Sequence, residues 1–112
     1  MAFSTYDRGD IIMMDFNPSL GHEQKGYRPA LVWNNKDSQT VSGFITVFPI
    51  TSKDKGYPLH VRINGRAGDT VGVVETDQIT TIDSMTRGTK KVSHANTDLM
   101  QEIGELFSEI TA

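Results

Sequence analysis

The stretch Gly43-Phe44-Ile45-Thr46-Val47-Phe48-Pro49-Ile50 sets the class of fold. It is short and rich in aromatic and β-branched residues, which suit a pleated surface better than a helix. Pro49 has no N–H to give to a ladder, which places the far end of this strand at an edge or a bulge. Toward the N-terminus, Pro29-Ala30-Leu31-Val32-Trp33 reads as a second strand, stopped by Asn34-Asn35 and the polar residues 36–40. Before it, Gly9-Asp10-Ile11-Ile12-Met13-Met14-Asp15-Phe16 is too brief for a typical helix, ends at the turn pair Asn17-Pro18, and reads as another strand.

Toward the C-terminus, Thr51 and Ser52 lead into a charged turn, Lys53-Asp54-Lys55-Gly56, and then Tyr57-Pro58. Leu59-His60-Val61-Arg62-Ile63 alternates as a strand with one wet face does, and Asn64-Gly65 is a strong turn signal. Val71-Gly72-Val73-Val74 reads as a buried strand, residues 75–83 as an irregular or short helical connection, and Lys90-Lys91-Val92 as one more short strand. The last segment is the clearest helix. Asn96 suits the N-cap, Asp98 sits in the first turn where the macrodipole favours an acid, and Leu99, Ile103, Leu106 and Ile110 form one apolar stripe with Met100 and Phe107 beside it. Glu102, Glu105 and Glu109 form the opposite, solvated face.

Roughly five or six short strands with Gly- and Pro-rich connections and one closing helix make a mainly β fold, a small, strongly curved sheet or partly open barrel. With 112 residues and no linker or repeat, the chain reads as a single domain over residues 1–112. Trp33, Phe44, Phe48 and the Met13-Met14 pair are more apolar bulk than one small interior holds, and a C2 homodimer would take up the surplus.

No run approaches 18 apolar residues, and the first residues lack a signal-peptide pattern, so the expected location is the cytoplasm. The absence of cysteine excludes disulfides, thiolate catalysis and Cys-ligated zinc. The 3 histidines, His22, His60 and His94, are widely spaced, so neither a metal nor another cofactor is expected. The net charge of −3 is unevenly spread: residues 96–112 hold 4 acids and no Lys or Arg, which leaves 11 basic and 10 acidic groups, net +1, on the other 95 residues. A locally basic face is therefore allowed.

Between the first two strands lies Gly21-His22-Glu23-Gln24-Lys25-Gly26-Tyr27-Arg28-Pro29, an imidazole, a carboxylate, an amide, an ammonium, a phenol and a guanidinium bracketed by glycines. Taken alone it reads equally as a solvated hairpin loop or as a loop carrying functional groups on a rigid scaffold. Arg28 alone reads as one half of a weak surface ion pair, and Thr51 alone as a turn residue bonding its own backbone.

Taken together, Gly9-Asp10-Ile11, Asp15-Phe16-x-Pro18, Gly21-His22-Glu23-Gln24 followed by Arg28-Pro29-Ala30-Leu31-Val32, Pro49-Ile50-Thr51-Ser52, Gly56-Tyr57-Pro58, and Asp77-Gln78-Ile79 before Ile82-Asp83 resemble the MazF/Kid (PemK) toxins, the endoribonuclease halves of type II toxin-antitoxin pairs. The motifs stand in family order over almost the whole chain. The resemblance implies an SH3-like (CcdB/Kid-type) partly open barrel with a C-terminal helix, a homodimer, metal-free cleavage of single-stranded RNA, and a cognate antitoxin whose acidic flexible tail covers the RNA surface. Carried over by position, Arg28 matches the catalytic arginine, Thr51 the catalytic threonine and Glu23 an acid at the same site. His22 and Asp77 match residues with catalytic roles in the Kid branch, but Glu75 stands where that branch has an arginine, which favours the arginine–threonine version.

RNA brings its own nucleophile, the 2′-hydroxyl, so such an enzyme has to accept that proton, stabilise the phosphorane and protonate the departing 5′-oxygen. The products would be a 2′,3′-cyclic phosphate and a 5′-hydroxyl. Arg28, planar and always charged, suits the phosphorane; Glu23 or His22 suits the proton; Thr51 can donate to a phosphoryl oxygen. For binding, Phe16, Tyr27 and Tyr57 could stack on unpaired bases, and Lys53, Lys55, Arg62, Arg87, Lys90 and Lys91 could meet phosphates. Gln24, Lys25, Ser52, Asp77 and Gln78 complete the expected RNA contacts, with a bracing role for Asp77 and Gln78 as the plainer reading. Two other functions stay open at this point: a CcdB-type gyrase poison, although the chain lacks that family's Trp-Gly-Ile end, and an SH3-like adaptor for extended peptides.

Overall fold

The computed structural model describes residues 5–16, 26–86 and 88–112. In chain order its elements are β1 (Asp10–Phe16), β2 (Gly26–Val32), α1 (Lys36–Ser42), β3 (Phe44–Thr51), β4 (His60–Arg62), β5 (Val73–Glu75), β6 (Thr80–Asp83), β7 (Lys90–His94) and α2 (Thr97–Ile110). The 7 strands form one open antiparallel sheet in the order β4-β5-β3-β2-β1-β7, with β6 also on β3.

β3 is the hub. One side pairs with β2 along Val47–Leu31 neighbours (Val32↔Val47, Leu31↔Phe48, Ala30↔Pro49). The other side pairs with β6 over Phe44 to Val47, and then with β5 at Ile50 and Thr51. Pro49 is therefore not at an edge. Trp33 N–H donates to Thr46 O, so even-numbered residues of β3 address β2 and Pro49 turns its nitrogen to the other side, into the gap where β6 ends and β5 begins. The missing donor costs the ladder nothing there.

β1 reads as a continuous apolar run because both its faces are covered. Ile11 joins Leu31, Phe48, Ile50, Val61, Ile63 and Val74 beneath Leu99 and Ile103 of α2. Ile12, Met14 and Phe16 join Ala30, Val32, Ile45, Val47 and Ile82 in a second cluster, with Tyr6 against it. Trp33, Phe48 and Phe107 pack ring to ring at centroid distances of 5.1, 5.2 and 6.0 Å. Met14 and Phe48 are thus core, whereas Phe44 stays 49% exposed.

Two elements differ from the sequence expectation. Residues 36–42 are helical: Asn35 Oδ1 accepts from Ser38 N–H at 2.8 Å and caps a turn whose buried residue is Gln39. The Gln39 carboxamide donates to Tyr6 O at 2.9 Å and Asn34 O at 3.0 Å and accepts from Tyr6 N–H at 2.9 Å, so a polar side chain ties α1 to the N-terminal segment. Residues 75–83 are not a helical connection. A turn closed by Gln78 N–H to Glu75 O at 3.0 Å leads into β6, where Ile82 faces inward and the threonines and Asp83 do not.

α2 forms as its pattern requires. Asn96 Oδ1 accepts from Leu99 N–H at 2.9 Å, and burial of Leu99 and Ile103 stabilises the docked helix. Each contributes roughly 2 kcal/mol. Its acidic face is not purely solvated, because Arg66 lies 2.8 Å from both Asp98 and Glu102. Those bonds, Asp98's first, hold the Arg66 guanidinium above its usual pKa.

Candidate active site

The register of β2 on β3 assembles the site. The β2–β3 pairing runs from Val32↔Val47 to Ala30↔Pro49, and Arg28 and Thr51 lie two residues beyond its last pair, each in step with that pair's alternation. Both line two adjoining cavities that also share Lys53. The larger, about 440 Å³, is completed by Tyr27 and Ser52 and by apolar Met13, Pro29, Ile50, Val71 and Val92. The smaller, about 240 Å³, is completed by Lys55, Tyr57, His60 and Glu75.

Thr51 is held from two directions. Its Oγ1 accepts from Lys53 N–H at 3.2 Å, which starts the following turn and leaves the hydroxyl hydrogen to donate into the cavity. Behind it, the residue that leads into β5 approaches so closely that a Cβ on Gly72 would stand 2.3 Å from Thr51 O, and Gly72 has φ +113°. Only glycine permits both that angle and that approach. The plain reading of Thr51 as a turn residue and the functional one are thus compatible.

The charged turn is ordered by Asp54, which accepts from Gly56 N–H at 2.9 Å and pairs with the Arg62 guanidinium. The Gly56 bond first, and then Arg62, hold the Asp54 carboxyl below its ordinary pKa. Arg62 is therefore committed to the turn, and Lys91 lies 3.2 Å from Asp10 Oδ1. Lys53 and Lys55 line the cavities, and Lys90 sits opposite Met13 on the neighbouring strand.

Tyr27 and Tyr57 are more than half exposed, as stacking platforms must be. Phe16 is different: at 1% exposure it belongs to the second apolar cluster and has no face to offer a base. Its alternation with Ile12 and Met14 is the reason. His22, Glu23, Gln24, Lys25 and Arg87 lie outside the described residues. Gln78 serves the turn after β5, and Asp77 stands 3.5 Å from His60 Nε2.

His60 and Glu75 are the residues that the sequence did not bring to the site. They are direct partners across β4 and β5, so both point to one face. Their side chains are only 7% and 6% exposed, with His60 Nε2 at 3.9 Å from Glu75 Oε2. The Tyr57 ring packs against the imidazole in a tilted arrangement, 5.1 Å between centroids and 58° between planes. The alternation in residues 59–63 was the available signal, since it put His60 and Arg62 on the same side.

Comparison with known proteins agrees with this geometry. Residues 7–111 match the model of the PemK-like, MazF-like toxins of type II toxin-antitoxin systems. The chain is 40% identical over 90 residues to the endoribonuclease toxin MazF of Escherichia coli K12, which spans 76% of this chain and 75% of that protein. A crystal structure of MazF from Deinococcus radiodurans superposes with a TM-score of 0.84 at 32% identity, covering 96% of each chain. The toxin in a MazE-MazF complex from the same organism gives 0.80 at 27% identity, again covering 96% of each chain. The seven strands, the closing helix and the motifs around Arg28 and Thr51 are thus those of one lineage, and the chain belongs to the PemK-like, MazF-like toxin family of type II toxin-antitoxin systems.

Proposed function

We propose that this chain is a metal-independent endoribonuclease that cuts single-stranded RNA at a preferred sequence, and that Arg28 and Thr51 carry the reaction. The observation behind this reading is that Arg28 of β2 and Thr51 of β3, just beyond the last paired residues of those strands, line the same pair of cavities. The 2′-hydroxyl loses its proton to Glu23 or His22 and attacks phosphorus. The O2′–P bond forms, the P–O5′ bond breaks, and the proton delivered to O5′ leaves a 5′-hydroxyl beside a 2′,3′-cyclic phosphate. Arg28 contacts the phosphoryl oxygens as negative charge builds and serves the departing oxygen; Thr51 adds a neutral donor. Lys53 and Lys55 draw in the backbone, and Tyr27 and Tyr57 receive unpaired bases, which a duplex would not release.

The working unit is a homodimer in the cytoplasm, silenced by an antitoxin whose acidic flexible tail competes with RNA for the cationic cavities. Val41 of α1, Phe44 of β3 and Met85 after β6 are exposed apolar side chains from neighbouring elements and support a self-association face. Among the described residues, no helix is long and apolar enough to cross a membrane.

The test is incubation of purified protein with a long unstructured RNA in EDTA, followed by mapping of fragment ends. Discrete fragments ending in 2′,3′-cyclic phosphate and 5′-hydroxyl are expected. Intact RNA, or cleavage only after divalent cation is restored, would refute the reading.

A further inference from the structure

Lys53 and Lys55, the two lysines that line the cavities, both belong to the connection between β3 and β4, residues 52–59. A connection of that length left to itself samples many conformations, and its lysines would spend little of their time over the site. Hydrogen bonds hold this one at both ends and in the middle. Thr51 Oγ1 accepts from Lys53 N–H at 3.2 Å, Asp54 Oδ1 from Gly56 N–H at 2.9 Å, and Tyr57 O from His60 N–H at 3.1 Å. Lys55 Nζ lies 5.8 Å from the centre of the Tyr57 ring, which ties the ammonium to the aromatic platform beside it.

Those bonds run along the chain, and Arg62 adds one from the side. Its Nε donates to Asp54 Oδ2 at 2.5 Å, so one carboxylate closes the turn with one oxygen and fastens it to β4 with the other. Arg62 follows His60 by two residues in β4, and the face of that strand that supplies His60 to the smaller cavity therefore also supplies the anchor. Arg62 lines neither cavity; it stands in a neighbouring groove of about 300 Å³ with Asp54 and Tyr57. Its effect on the cavities passes through the turn that it holds.

Resting on the nuclease reading above, we propose that Arg62 is a positioning residue for RNA binding: through Asp54 it fixes the β3–β4 connection so that Lys53 and Lys55 stand over the cavities before RNA arrives. The pair is too exposed, at 71% for Arg62 and 33% for Asp54, to matter much for stability. Its value lies in preorganisation, because side chains ordered in advance lose less freedom when the ligand binds. The lysines meet the RNA backbone in ground state and transition state alike. Loss of the tie therefore weakens substrate binding and spares the chemical step.

The test is steady-state cleavage of one short RNA oligonucleotide by the wild type, D54N, R62Q and the double variant, with kcat and KM resolved. Asparagine at position 54 keeps an oxygen for Gly56 N–H and turns a donor toward Arg62, so it breaks the tie and leaves the turn's own bond. R62Q is expected to raise KM about fivefold and D54N about threefold, with kcat within about 1.5-fold of the wild type. The double variant should match R62Q and not reach the roughly fifteenfold rise of two independent effects. The sign for D54N is decisive, because by charge alone the removal of an acid beside cationic cavities would tighten RNA binding and lower KM. A D54N KM at or below the wild type's, an R62Q KM that does not move, losses that multiply in the double variant, or a fall in kcat in place of the rise in KM would each overturn this role and leave the nuclease standing. Wild-type protein that cuts no RNA at all overturns both.

Discussion

Two histidines face carboxylates in this molecule, and they do so differently. At the junction of β1 and β7, His94 Nδ1 bonds Asp10 Oδ1 at 2.7 Å; Lys91 approaches the same oxygen at 3.2 Å, and Asp7 N–H reaches Oδ2 at 2.9 Å. The imidazole is half exposed and the carboxylate is buried and saturated. At the other place, His60 is buried, its carboxylate contacts are longer, and one ring nitrogen lacks a partner among the described residues. The first cluster closes on itself and ties a strand to the chain's start. The second lines a cavity with Arg28 and Thr51. One imidazole–carboxylate pair is thus a brace between two strands, and the other stands in the lining of the cavity that Arg28 and Thr51 share.

That division has consequences of very different size. The largest belongs to Arg28: under the proposed reaction Arg28→Ala removes the charge assigned to the phosphorane, and cleavage is expected to fall about a thousandfold or more. Circular dichroism should remain that of the folded protein, because Arg28 is outside both apolar clusters. Near-normal turnover in this variant would move the reaction centre elsewhere. Gly72→Ala comes next and affects both stability and rate. The new Cβ meets Thr51 O, and φ +113° disfavours any side chain, so β5 must withdraw from β3 and carry Thr51 with it. A loss of about 3 kcal/mol in denaturant unfolding is expected. The rate should drop about a hundredfold, since a displacement near 1 Å is enough for that. Unchanged kinetics in a stably folded G72A protein would break the link between that close approach and Thr51.

Sequence legibility follows the same line between local and non-local information. The strands in residues 9–16, 29–33, 43–50 and 59–63 and the final helix were legible because their apolar periodicity is written within a few consecutive residues. α1 was not, because its fully buried side chain is the amide of Gln39, whose partners Tyr6 and Asn34 lie outside the helix. β6 was obscured because only Ile82 faces inward among Thr80, Thr81 and Asp83. At the candidate site, Arg28 and Thr51 stood out through motif order, and they line shared cavities just beyond the end of the β2–β3 pairing. His60 and Glu75 meet through a cross-strand pairing 15 positions apart, which no local pattern encodes. Phe16 shows the converse error: its place beside the loop suggested a platform, while its period with Ile12 and Met14 already put it inside.

The brace can be tested separately from the site. Burial by itself would raise the pKa of Asp10, but the hydrogen bonds from His94, from Asp7 N–H and from Lys91 outweigh it and leave the carboxyl below its ordinary value. A carboxyl depressed by folding stabilises the protein above its unfolded pKa, near about 3.9, and that stabilisation is lost as pH falls through the lower folded value. Wild-type stability should therefore decline below about pH 4, and Asp10→Asn should flatten that part of the profile. At pH 7 the variant is expected to lose about 2 kcal/mol, from charge-assisted bonds given up at a buried position. Its kcat/KM should match the wild type's, and a change in cleavage specificity would mean that the two clusters communicate.

Asn96→Ala has the smallest expected effect and draws the sharpest line between the two regions. The Asn96 side chain accepts from Leu99 N–H at 2.9 Å at the start of α2, and its own N–H donates to Arg66 O at 2.8 Å through the backbone, which the substitution keeps. Only the cap is lost, at about 1 kcal/mol. For a domain of this size that is roughly a 4 °C fall in Tm. α2 covers the cluster beneath Leu31, Phe48 and Ile50 and does not contribute to the cavities that Arg28 and Thr51 line. Thermal melts should shift while kcat/KM and the sequence preference measured well below Tm stay fixed. A changed preference would show that the helix start is coupled to the β3–β5 end of the sheet, and the brace and the site would then have to be treated as one unit.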